Sequence, residues 1–328
     1  MSTTPSLTDI VNAYQGVDLD TLTYEAPSGD DLDSPERIEA QLKEGVKRGQ
    51  VWLAVDDTAD DAESSIRDSL YVMIVEVNER DPRLATVIPL SNDLRAQTED
   101  SLVIEEGSPL EIPTVAWPKI HAIIPVRLLS KPLKQFKPDT VESILSEDPS
   151  LADADDTVVL GFDHEDNESP YVENREDAIA TLVKWHARCF TLPKLHSEEE
   201  RESMTPDRAK YARALVQVLG LSFDEVNEVF NGQLALSTIQ EQQLSEAGID
   251  AKQLRPRTFN LPKGLLIEIE QPLYRSMANE YATRTDTDPR VALAKDAFAL
   301  AARKNGYGAS AWRGAIQQAA QDRTKTTK

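Results

Sequence analysis

The sequence predicts an α+β chain: a small, strongly curved antiparallel β-unit followed by a helical half. Three observations point there. Short β-rich runs recur between residues 50 and 126 with no long helical pattern between them. Well-punctuated helical repeats follow from about residue 205. The 328 residues are 40% apolar and 28% charged, ordinary globular proportions for roughly two domains at ~150 residues each.

Residues 1–46 read as an acidic helical arm. Ala26-Pro27-Ser28-Gly29-Asp30-Asp31 is a turn-rich spacer. Short helices are expected over 7–14 and over 34–46, the second opened by Ser34 with Pro35 in its first turn. From Gln50 the pattern becomes one of strands: 51–55, the almost wholly apolar 70–77, then 84–90, 101–105 and 120–126. The acidic stretch 56–63 is too polar to pack and reads as an insertion after the first strand, and a small helix is expected near 130–136. Residues 138–200 read as an acidic connector with a possible strand at 157–162. It carries one helix, 176–190, with Ile179, Leu182, Val183 and His186 on one face.

Residues 201–328 read as a helical domain. Thr205-Pro206 starts a helix with Ala212, Leu215, Val216 and Leu219 on one stripe, stopped by Gly220. Ser222 with Glu225, and Ser237 with Gln240, are capping boxes opening two further short helices. Three helices joined by tight turns form a helix-turn-helix-like bundle. Asp288-Pro289 then starts a longer helix running to about Gly306, and Ser310 starts a last one holding Trp312 and Ile316.

Charge narrows the function classes. Lys and Arg number 35 against 57 Asp and Glu, a net −22. The arm carries −8, residues 47–137 carry −4, residues 138–200 carry −13, and the remainder carries +3. Phosphate affinity comes from neutralising backbone charge, so such a chain is no general polyanion binder, and any nucleic-acid contact is local. The basic excess lies from Arg290 onward, where Arg303, Lys304 and Arg313 interleave with Trp312 as a candidate nucleic-acid or partner-binding group. The lone Cys189 fits a reducing compartment, and residues 1–9 lack a basic stretch followed by an apolar one, so a cytoplasmic setting is expected. No apolar run reaches ~20 residues, so no membrane partner is expected. His186, Cys189 and His196 lack a fourth ligand at metal-site spacing, and phosphate loops and H-E-x-x-H are absent, so neither metal nor cofactor is expected.

Three stretches carry a family resemblance. Lys47-Arg48-Gly49-Gln50-Val51-Trp52-Leu53, then Val87-Ile88-Pro89-Leu90-Ser91-Asn92, then Pro125-Val126-Arg127-Leu128-Leu129 occur in the order of the opening strand, third-strand end and closing segment of the MazF/PemK (Kid) toxin ribonucleases. Residues 47–137 thus resemble a small SH3-like antiparallel β-barrel. The resemblance implies a metal-independent, sequence-selective endoribonuclease whose candidate catalytic pair is Arg67 and Ser91, acting where a 2′-hydroxyl attacks the adjacent phosphate. The pattern departs at Arg67: Asp68, Ser69 and Leu70 separate it from the strand, and Asp68 offsets its charge. Residues 205–250 are similar, more loosely, to the helix-turn-helix bundle of XRE-type antitoxins, which implies a transcriptional regulator. There Asp224, Glu225 and Glu228 oppose a phosphate backbone. The expectation is therefore a toxin–antitoxin-like or phage-defence protein, with a non-catalytic barrel as a binding or regulatory module and a protein partner. The alternatives are the endoribonuclease, the helix-turn-helix regulator, and an acidic mimic of nucleic acid.

Overall fold

A computed structural model describes residues 32–56, 69–170, 172, 174–197, 207–230, 234, 236–251, 261–282, 288–303 and 309–325. The expected helix at 7–14, the spacer at 26–31, most of the acidic insertion (57–63) and Thr205-Pro206 lie outside them.

The described residues form an α+β structure of eight strands and ten α-helices. Helix α1 (Pro35–Glu44) starts where the sequence predicts, with the Ser34 hydroxyl accepting the Arg37 N–H at 3.5 Å. The strands are β1 (Gln50–Val55), β2 (Ser69–Val77), β3 (Leu84–Ser91), β4 (Leu102–Glu106), β5 (Thr114–Ala116), β6 (Ala122–Pro125), β7 (Leu129–Gln135) and β8 (Thr157–Leu160). All pairs are antiparallel, in the order β7-β1-β2-β3-β5-β4-β8, with β6 also on β3. β3 spans both partners: Leu84 to Val87 pair with β6, Leu90 and Ser91 with β5. Among the described residues the path is open, since β7 and β8 end it and no pairing joins them.

The near-continuous apolar character of β2 has a direct cause: the sheet is covered on both faces. On one face Trp52, Val72, Ile74, Val87, Val103 and Val115 pack with Ala178, Leu182 and Trp185 of α3 (Arg175–Arg188). On the other, Val51, Met73, Ile88, Leu90, Leu102 and Ile104 pack with Val141 and Ile144 of α2 (Pro138–Ser146). Successive residues such as Val72 and Met73 go to opposite cores, the period of two that a strand imposes. Each fully buried aliphatic side chain contributes about 1.5–3 kcal/mol.

Two expectations are corrected. Residues 129–135 form a strand and not a small helix: they pair with β1, and the helix begins only at Pro138. Pro132 lacks the N–H that a central strand would need, which fits its place at the sheet edge. On α3 the buried stripe is Ala178, Leu182 and Trp185, while Val183 is 65% exposed.

Helices α4 (Arg208–Leu219), α5 (Phe223–Phe230) and α6 (Thr238–Glu246) share a core of Tyr211, Leu215, Val226, Val229 and Leu244. Both expected capping interactions are present at Ser222 and Ser237. The start of α4 is capped by Asp207, whose carboxylate accepts from Ala209 and Lys210. Helices α7 (Lys263–Ile269), α8 (Arg275–Ala282), α9 (Pro289–Arg303) and α10 (Ala309–Lys325) build a separate core around Leu265, Tyr274, Leu293 and Ile316. Neither α7 nor α8 was anticipated from the sequence.

β8 is held by close backbone approach. A Cβ on Gly161 would fall 2.1 Å from Ser101 Oγ and 2.7 Å from the Thr98 carbonyl, and the Gly161 N–H donates to Ser101 O at 2.9 Å. The carbonyl cannot give way as a side chain would. Gly161→Ala is expected to destabilise the protein by about 1–3 kcal/mol in urea unfolding.

Candidate functional site

Ser91 ends β3, in register with Val115 of β5. Its residue is fully buried, and its hydroxyl accepts the Asp93 N–H at 3.0 Å, closing the turn that leaves the strand. The Asp93 carboxylate in turn holds Arg95, with Nε at 3.0 Å and Nη2 at 2.8 Å. These hydrogen bonds from Arg95 keep Asp93 below the ordinary carboxylate range. Arg67 lies outside the described residues. The β2–β3 register, Tyr71 opposite Leu90, puts the first residue of β2 at the Ser91 end of the sheet.

Two of the four basic-tail residues have structural tasks. Trp312 is 4% exposed, in the core of the last four helices beside Phe298. It belongs to the stripe Trp312, Ala315, Ile316 and Ala319, whose helical spacing turns the indole inward. Arg313 donates to Glu268 at 2.8 Å, and the same carboxylate oxygen accepts the Tyr274 hydroxyl at 2.8 Å. Arg303 closes α9, and Lys304 lies outside the described residues.

The bundle α4–α6 exposes Thr238, Ile239 and Gln242 from α6, and Phe223, Asp224 and Glu228 from α5. His186 Nδ1 and Cys189 Sγ both meet the Ile123 carbonyl, at 2.9 and 3.5 Å. Burial pushes the Cys189 thiol up to about 11, which makes it a poor thiolate ligand or nucleophile at neutral pH. Among the described residues no three metal-ligating side chains converge. No described helix is long and apolar enough to cross a membrane.

The densest polar constellation is one the sequence reading missed. Arg127 follows β6 in a 3-10 turn and reaches into the helical half. Its Nε and Nη2 grip Glu270 at 2.5 and 2.7 Å, and its Nη1 reaches Asp288 at 2.8 Å. Arg275 donates to the carbonyls of Arg127 and Val55, at 2.8 and 2.9 Å. Arg290, almost fully buried, donates to the carbonyls of Ile269 and Gln271. Gln271 reaches Pro82 O at 3.4 Å, and Arg83, clamped by Asp81, donates to Pro193 O at 2.7 Å. The only local hint was Asp288-Pro289, which reads as a helix start; Asp288 does cap α9, accepting from Arg290 N at 2.9 Å. Its partner Arg127 lies 161 residues away.

No protein-family model matches the chain, and no curated protein is significantly similar to it.

At Asp288, burial pushes the pKa up, but the Arg127 charge and hydrogen bond pull it further down, leaving it below its ordinary value. A depressed folded pKa gives stability that is present above the unfolded value and lost as pH falls through the folded one. Asp288→Asn keeps a capping oxygen but removes the charge. It is expected to cost about 1 kcal/mol near neutrality, the side chain being partly exposed. The deficit relative to the parent should shrink as pH drops below the ordinary aspartate value of about 4, read as urea midpoints across pH.

Proposed function

We propose that this chain is a non-catalytic binding and regulatory protein of toxin–antitoxin or phage-defence type. Its β-unit derives from an SH3-like toxin barrel and its bundle α4–α6 from a helix-turn-helix module. The antiparallel order β7-β1-β2-β3, with β3 pairing both β5 and β6, supports that ancestry. Strand β8 extends the unit beyond it.

The observation that carries the non-catalytic reading is the state of Ser91. A hydroxyl serving phosphodiester chemistry must reach substrate, whereas this one is buried and occupied by the Asp93 amide. The neighbouring Asp93 carboxylate adds negative charge and engages Arg95, the cation nearest in sequence to Ser91. A phosphate approaching this turn meets a carboxylate, which raises the energy of an anionic transition state. The overall −22 opposes RNA docking further. Partners are accordingly proteins.

The endoribonuclease remains a second reading because the β2–β3 register brings the start of β2 to the Ser91 end. Incubating the full chain with a long single-stranded RNA, without divalent metal, separates the two. The binding reading predicts intact RNA. It also predicts that Ser91→Ala lowers stability by about 1 kcal/mol through the lost turn hydrogen bond, with the RNA result unchanged. Cyclic-phosphate ends that vanish in Arg67→Ala would establish the ribonuclease instead.

A further inference from the structure

The two ends of the sheet are built differently. β7 carries Lys131, Pro132 and Lys134, the residues that discourage further strand pairing. Arg37 of α1 also covers it, donating to the carbonyls of Leu133 at 3.1 Å and Pro132 at 3.2 Å. β8 has none of these defences. Its sequence, Thr157-Val158-Val159-Leu160 followed by Gly161-Phe162, contains no Lys, Arg or Pro. Among the described residues it pairs with β4 alone.

The hydrogen-bond phase of the ladder can be read from one contact. Gly161 N–H donates to Ser101 O at 2.9 Å, and Leu160 stands opposite Leu102, so Gly161 and Ser101 continue the same register. In an antiparallel ladder alternate residues point their backbone groups toward the partner strand. Val159 and Gly161 therefore address β4, while the N–H and C=O of Leu160 face outward; Val158, one step earlier in the same phase, is only 8% exposed and belongs to the core with Ile104 and Ile144. Apolar side chains crowd the same edge: Leu160 is 64% exposed and Phe162 59%, with Leu151 of the preceding turn at 45%. An outward row of backbone donors and acceptors flanked by exposed apolar side chains is what strand addition requires.

Charge identifies the occupant. Residues 153–168 hold seven acidic side chains and no Lys or Arg. At one end, among the described residues, Lys137 is the one cation paired with Asp153, Asp155 and Asp156, at 2.6, 3.6 and 3.1 Å. At the other end Glu165, Asp166 and Glu168 are exposed beyond Asp163, whose carboxylate accepts the Glu99 N–H at 3.2 Å. An extended segment on β8 thus runs between two excesses of negative charge. A second copy does not suit this edge: antiparallel pairing of two β8 strands would bring Asp163 and Glu165 of one against the 153–156 carboxylates of the other, and opposed like charges destabilise a pair.

We propose that β8 is the docking edge for an extended segment of a partner protein, apolar at alternate positions and bearing Lys or Arg at both ends, which adds to the sheet as a further strand. This rests on the reading of the chain as a binding protein and gives that reading a location and a ligand chemistry.

The test uses the full chain and two labelled synthetic peptides of alternating Val and Thr, one flanked by lysine pairs and one by glutamate pairs. Anisotropy should report binding of the lysine-flanked peptide only, weakening as salt is raised. Leu160→Pro removes one outward donor and one apolar contact while sparing the bonds to β4, and should weaken binding at least about tenfold. Leu160→Lys, which keeps the backbone intact, should weaken it similarly. Hydrogen exchange locates the site: bound peptide should slow the Leu160 amide, with little change at Val159, which β4 already protects. Equal binding of the two peptides, no binding of either, full binding by Leu160→Lys, or protection confined to other strands or helices would overturn the proposal. Failure of the underlying reading is separately visible, as cleavage of RNA.

Discussion

The structure turns on the grip of Arg127. A guanidinium projecting from the end of the sheet unit meets two carboxylates of the helical half, one of them on the nearly inaccessible Glu270. Burying a carboxylate away from water costs several kcal/mol unless a cation and hydrogen bonds offset it. Arginine suits the task better than lysine because its planar fork engages both Glu270 oxygens and still has an N–H for Asp288. Around this contact the chain spends backbone carbonyls on two further cations: Arg275 takes those of Arg127 and Val55, and Arg290 takes those of Ile269 and Gln271. Three guanidinium groups thus share one region with two carboxylates, and the carbonyls carry the surplus.

That arrangement bears on function. Several of the chain's 35 cationic side chains are committed inside the fold: Arg127, Arg275 and Arg290 at the joint, and Arg83 beside Asp81, while the exposed Arg313 is paired with Glu268. The remaining surface is dominated by carboxylates, most densely in the segment that supplies β8. Such a surface opposes the docking of RNA phosphates, and the binding role proposed for the β8 edge is built on the same charge. Ser91, at the end of β3, is a buried, turn-forming hydroxyl that accepts the Asp93 N–H.

Much of the architecture was legible because it is encoded locally. The short apolar, β-rich runs of β1 to β4, the capping boxes at Ser222 and Ser237, and the stop at Gly220 depend on residues within a few positions of one another. The failures share a cause. Residues 130–136 read as helical because the strand character of β7 comes from pairing with β1, some 80 residues earlier in the sequence. On α3 the apolar spacing of Ile179, Leu182, Val183 and His186 points about one position past the buried stripe, whose anchor is the fully buried Trp185. Trp312 interleaves with arginines in the sequence as a candidate binding residue, whereas the helix places it on an apolar stripe. In the sequence Arg127 stands out only as part of the closing segment, since its partners lie 143 and 161 residues away and no spacing rule reaches them.

The central claim, that a buried Arg127–Glu270 contact makes the sheet unit and the helical half one folding body, is tested most directly by a double-mutant cycle in urea. Arg127→Met strands a buried carboxylate and should cost roughly 3–5 kcal/mol. Adding Glu270→Gln should recover part of that loss, giving a coupling energy of about 2 kcal/mol, with strand and helix probes unfolding together in the parent. Additive single costs, or separate transitions for the two halves of the parent, would contradict it.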